Sequence, residues 1–102
     1  MRRGTTPSIT INIPFAAADV SVAWITFVVD GTEQFTKDLT SSGVTLEDNK
    51  ITIKLTQTET LGFATGDRVN MQIRILTTDG NAVASDISAF TAEKILKDGI
   101  IE

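Results

Sequence analysis

Between Lys50 and Ala84 the chain carries three structural signals in close succession. Apolar residues alternate at Ile51, Ile53 and Leu55, Thr56 and Glu59 open a short helical pattern running to Leu61, and a longer alternation from Val69 to Leu76 leads to Asp79-Gly80. The first and last have the two-residue period of half-buried strands. Thr56 and Glu59 have the spacing of a capping box, in which each side chain satisfies a backbone N–H at the helix start. Gly62 and Gly66 end that helix after one or two turns. Strand, brief helical crossover, strand and glycine turn leave little room for any class but all-β, and the rest of the chain is placed around them.

The segments before Lys50 follow the same pattern. Met1 to Ser8 reads as an extended N-terminal arm leading into a strand at Ile9, Ile11 and Ile13, which Pro14 ends because proline cannot donate to a sheet ladder. Ala16 to Asp19 is a short connection. Val20 to Val29 is β-branched and aromatic with both alternating faces largely apolar, so the expectation is a strand covered on both sides. Asp30-Gly31 turns it back into Phe35 to Leu39. A two-residue turn sets Thr26 opposite Phe35 and Trp24 opposite Lys37. A three-residue loop closing with a glycine bulge at Gly31 sets Ile25 opposite Phe35, and this form is preferred. Ser41 to Gly43 is a loop, Val44 to Leu46 a short edge strand, and Asp48-Asn49 a turn.

The second Asp-Gly pair poses the same choice. A two-residue turn places Asp86 across from the buried-looking Ile73, whereas a loop closing at Gly80 pairs Ile75 with Val83 and Met71 with Ile87. The second is expected, with one last strand from Val83 to Ala92. Residues 93–102 form a C-terminal tail carrying Ile95, Leu96, Ile100 and Ile101. At 102 residues the whole, 1–102, fits a single domain burying roughly two thirds of its unfolded surface. Short strands at this spacing, with one helical turn near 56–62, predict an immunoglobulin-like antiparallel β-sandwich. The stretch from Asp67 to Ile73 stands where immunoglobulin domains carry a tyrosine and their second cysteine, and has neither. No disulfide is possible, so apolar packing alone must hold the fold.

Composition removes several functions. Cysteine and histidine are both absent, which excludes Ser-His-Asp and Cys-His catalysis and every thiolate or imidazole zinc site. A net charge of −4 with mixed signs provides no basic stripe for nucleic acid. Asn12, Pro14 and Asp19 interrupt the apolar run an export signal would need after Arg2 and Arg3, and no apolar stretch is long enough to span a bilayer. The expectation is a soluble protein made in the cytoplasm, without membrane partner or cofactor. Glu47, Asp48, Glu59 and Asp67 are carboxylates near turns that could form an acid–base pair or bind calcium; the reading preferred here is that Glu59 caps the helix and the others are solvated turn residues. There is no glycine-rich phosphate loop, nucleophile elbow or calcium loop.

Two features point to contacts. Trp24 lies on the face opposite Ile25 and Phe27, with Val22 and Val28 alongside and Thr36 across from it; the preferred reading is a core tryptophan, the alternative an exposed partner anchor. The aliphatic tail either docks on its own sandwich, which is slightly preferred, or adds a strand to a neighbouring subunit.

Arg2-Arg3-Gly4-Thr5-Thr6-Pro7, Leu55-Thr56-Gln57 with Glu59-Thr60-Leu61, Gln72-Ile73-Arg74 with Leu76-Thr77, Asp79-Gly80 with Ala82, Ala84-Ser85, and Ile95-Leu96-Lys97-Asp98-Gly99-Ile100 are spread over most of the chain. Together they resemble a family of small tail-associated proteins of phages and prophages of Gram-positive bacteria, related to the N-terminal domain of phage baseplate upper proteins. The resemblance implies a β-sandwich in the tail tip or baseplate of the virion, assembled in the host cytoplasm and without enzymatic activity. Its partners would be other tail or baseplate proteins or further copies of itself. The larger baseplate proteins continue into helical and receptor-binding parts, which do not appear through Glu102, so an adaptor, accessory or assembly role is expected. Trp24, Ile95, Leu96, Ile100 and Ile101 are the candidate interface residues. The alternative function is a carbohydrate- or ligand-binding sandwich, although no loop carries an aromatic cluster.

Overall fold

The computed structural model describes residues 1–85 and 87–102. The described residues build two antiparallel sheets. In the smaller, β1 (Ser8–Asn12) pairs with β5 (Lys50–Lys54), whose other edge takes β4 (Val44–Glu47). In the larger, β3 (Thr32–Asp38), β2 (Val20–Val29) and β6 (Arg68–Thr77) lie side by side, and β7 (Ala82–Ala84) and β8 (Ser88–Thr91) share the remaining edge of β6. This is an immunoglobulin-like antiparallel β-sandwich: the small sheet has the B-E-D strand order and the large one C′-C-F-G. Two features differ in detail from expectation. The strand after the N-terminal arm begins at Ser8, and a 3₁₀ turn at Ala17–Asp19 adds a helical element beyond the one near residue 60.

The core lies where the inner faces meet. Ile25, Phe27, Val69 and Ile73 come from the large sheet, Ile51 and Ile53 from the small one, and Leu55 and Phe63 from the chain on either side of the crossover helix; all are essentially inaccessible. Rings continue from Phe27 to Phe35 (4.7 Å between centroids), Phe63 (6.0 Å) and Phe90 (6.4 Å, edge to face). Such pairs add to the area they bury. Helix α1 (Gln57–Leu61) opens as read: the Thr56 hydroxyl accepts from Glu59 N–H at 3.1 Å and the Glu59 carboxylate from Thr56 N–H at 2.8 Å.

The first hairpin departs from the expected register, and the second keeps it only as far as Ala84. Asp30 and Gly31 have φ of +50° and +77°, forming a two-residue turn that pairs Val29 with Thr32, not the three-residue loop preferred above. A bulge then skips Gln34, so Phe27 faces Phe35, Ile25 faces Lys37 and Trp24 faces Asp38. Neither register considered from sequence holds along the whole ladder. The bulge brings Phe35 onto the core side against Phe27, and the gain from stacking two rings there decides the pairing. The second hairpin closes at Gly80 (φ +89°) and pairs Ile75 with Val83, as expected. Beyond it the expected single strand is two: Ser85 N–H donates to Ile73 O at 2.8 Å while Ile73 N–H donates to the Ser85 hydroxyl at 3.0 Å. A side-chain oxygen thus stands where a ladder carbonyl would, the register shifts by one, and Met71 faces Ser88 instead of Ile87. Asp86 lies outside the described residues.

Candidate docking surface

Alternation along β2 sends Ala23, Ile25, Phe27 and Val29 into the core and Val22, Trp24, Thr26 and Val28 to the other side. That other side is not covered. Trp24 is 51% exposed, which overturns the core reading of this residue and the expectation of a strand buried on both faces. The physical reason lies in the neighbouring strands. The β6 residues paired with Val28, Thr26, Trp24 and Val22 are Asn70, Gln72, Arg74 and Leu76, so the face around Trp24 is largely polar across the sheet and cannot be buried without desolvating it.

Around the indole the surface is organised. Arg74 and Asp38 are its register partners on β6 and β3, so the row across the sheet runs Asp38, Trp24, Arg74, Ala84. The Arg74 guanidinium carbon stands 5.7 Å from the ring centroid, a cation–π arrangement. Val22, Leu76 and Ala82 continue the apolar surface toward the second hairpin, forming a shallow depression with Trp24 and Arg74. Toward the other end the face is hydroxyl- and amide-lined: Thr26 and Thr36 hydroxyls are 3.1 Å apart, Thr36 donates to Glu33, and Gln72 donates to Ser85 O. Asp38 is pinned. Its Oδ1 accepts from Thr40 Oγ1 (2.6 Å), Thr40 N–H (2.8 Å) and Ser41 Oγ (3.3 Å). Those hydrogen bonds, the Thr40 hydroxyl foremost, hold its carboxyl below the usual carboxylate range, so it is a fixed negative charge at neutral pH.

The tail residues form a second, separate region. Ile95 is half-buried, and its Cδ1 with Leu61 fills the space where a Cβ on Gly4 would lie. Ile101 N–H donates to the Gln57 side chain at 2.7 Å and Gln57 donates back to Ile101 O at 3.1 Å, tethering the chain end to α1. Leu96, Ile100 and Ile101 nevertheless remain exposed. The tail therefore rests on its own sandwich through its backbone and Ile95, with three aliphatics turned outward. The residues that Trp24 touches are not those that the tail touches, so the sequence-predicted set divides between two surfaces. Val22 stands alongside Trp24 as expected, whereas Arg74, Asp38 and Leu76 were not anticipated; the available signal was the polar alternation of β6 on the Trp24 face.

The carboxylates are committed locally. Glu59 binds Lys37 and Thr56, Asp67 Oδ2 accepts from Ala64 N–H, and Asp48 occupies a turn at φ +53° while its carbonyl accepts from Ala17 N–H. Glu47 is exposed at the end of β4 opposite Lys50. Among the described residues, no group of three or more carboxylates is placed to hold a metal ion, and no helix is long and apolar enough to cross a membrane. No protein-family model matches the chain, and neither a curated protein nor a solved structure matches it.

Proposed function

We propose that this chain is a non-enzymatic structural or adaptor protein of a phage or prophage tail or baseplate, acting through protein–protein contacts in the virion after assembly in the bacterial cytoplasm. The observation that carries the contact reading is the outward Trp24 with Val22 and Leu76 beside it and fixed charges on both flanks. Interface anchors are typically tryptophan and arginine set among residues that exclude water, and here the two are stacked on one another. The tail assignment rests on the family resemblance. Tail organelles are built from symmetric rings, in which a small sandwich with an adhesive face has an evident use.

Immunogold labelling of particles released by the encoding bacterium tests the assignment. Label at the tail tip is expected, and particles free of the chain overturn it. A ligand-binding reading has one observation in its favour, because an exposed indole beside Asp38, Thr26 and Gln72 is a platform on which a sugar ring can stack. Arg74 already stands over that ring, which favours the protein-contact reading. A glycan array separates the two: no binding is expected, and a specific hit lost in Trp24→Ala would reverse the order.

A further inference from the structure

The row across the large sheet places a fixed negative charge, an indole and a positive charge on three adjacent strands, β3, β2 and β6. Strand spacing sets Asp38 and Arg74 about 4.8 Å to either side of Trp24 at the backbone. We propose that the Trp24 face is self-complementary and that its partner is a second copy of this chain, a proposal that rests on the protein-contact reading above and names the partner for it. A two-fold axis lying in the interface, parallel to β2 and passing over Trp24, carries each copy's Arg74 onto the side of the other's Asp38. The two indoles then meet at the centre, flanked by two reciprocal charge pairs. The alternative axis, perpendicular to the strands, stacks Arg74 on Arg74 and Asp38 on Asp38 and is disfavoured by like-charge repulsion.

The surrounding residues fit this arrangement. Val22, Leu76 and Ala82 supply apolar surface on one side of the row, and Thr26, Thr36 and Gln72 supply hydroxyls and amides on the other. An axis parallel to the strands keeps these two zones in register, apolar on apolar and polar on polar. It also gives the aligned geometry in which sheets pack face to face. Four strands about 4.8 Å apart, overlapping over about six residues, bury on the order of 1,000 Å² in the pair, the lower bound for a specific interface. The dimer is accordingly concentration-dependent. Arg74 changes partner on assembly, leaving a solvent-exposed ring for a carboxylate that Thr40 and Ser41 already hold in place.

Trp24 is the single tryptophan, so its fluorescence reports this face alone. Sedimentation equilibrium of the whole chain across a concentration series should show mass rising from monomer to dimer. Trp24 emission should shift to the blue and lose acrylamide quenching over the same range. Arg74→Glu and Asp38→Lys should each weaken association at least tenfold, and the charge-swapped double variant should recover it to within a few-fold of the original. Trp24→Ala should abolish association with the circular dichroism spectrum unchanged, which keeps the test decisive if Asp38→Lys disturbs its turn. A monomer at millimolar concentration, or association indifferent to Arg74→Glu, overturns the proposal. Particles that carry the chain as a monomer would leave the tail assignment standing without the dimer. A dimer absent from particles would do the reverse.

Discussion

Lys37 is a buried cation on the inner face of β3, with its ammonium 2.9 Å from the Glu59 carboxylate at the start of α1. Burial tends to raise the Glu59 carboxyl, but the hydrogen bond and charge of Lys37, with Thr56 N–H, outweigh it and leave Glu59 below the usual range. A carboxylate depressed in the folded state stabilises it above the unfolded value and loses that contribution as pH falls through the folded one. Stability should therefore decline below about pH 4.5, and Glu59→Gln should flatten that decline while lowering stability at pH 7 by about 1–3 kcal/mol. Urea midpoints at neutral and acid pH measure both. Trp24 and Phe27, three residues apart on one strand, should answer differently to truncation because they lie on opposite faces. Phe27→Ala should cost about 3–5 kcal/mol and Trp24→Ala less than about 1 kcal/mol in a dilute monomer. Comparable losses in the same urea titration would mean that Trp24 is covered within one chain.

Turns set the element boundaries, and the glycines within them are not equivalent. Gly43 has φ +81°, and a Cβ there would lie 2.8 Å from the Lys54 carbonyl oxygen, at the point where Lys54 N–H donates to Gly43 O. Gly80 has φ +89° with open space around it. Gly80→Ala should cost only the left-handed penalty of about 1 kcal/mol, whereas Gly43→Ala adds a backbone clash and should cost about 2 kcal/mol or more. Equal melting temperatures for the two variants would contradict that difference. Capping box, alternation and glycine turns were legible as elements because each is a local pattern. The Gln34 bulge and the break at Ser85 were not, because the residue that leaves the ladder is chosen by what the opposite strand offers it: Phe27 to Phe35, and Ile73 N–H to the Ser85 hydroxyl.

At the scale of the molecule, the two ends of the chain hold each other. Arg3 N–H donates to Glu93 O and Glu93 N–H to Met1 O, while Arg2 Nη1 reaches Lys94 O at 2.8 Å. The Arg3 guanidinium, largely buried, donates to the carbonyls of Leu61, the last residue of α1, and Phe63 just beyond it, and binds Asp98 at 2.9 Å. Arg3→Ala leaves two carbonyls without that donor and should cost about 2 kcal/mol. Deleting residues 96–102, of which Leu96 and Ile101 are almost wholly exposed, should cost less than about 1 kcal/mol and leave dimerisation through Trp24 unchanged. Calorimetry and sedimentation on both variants check this, and loss of the dimer on truncation would move the interface to the tail.

By itself the sequence determined the all-β class, most of the strands, the inward alternation of β5 and β6, the capped turn at Thr56 and the Gly80 turn, because periodicity and turn chemistry act within a few residues. The outward Trp24 was misread as a core residue, since Val20 to Val29 is apolar on both faces and its own pattern cannot say which side is covered. Only the tertiary structure decided that. It set Asn70, Gln72 and Arg74 beside the outer face of β2, and a polar neighbour across the sheet leaves that side in water.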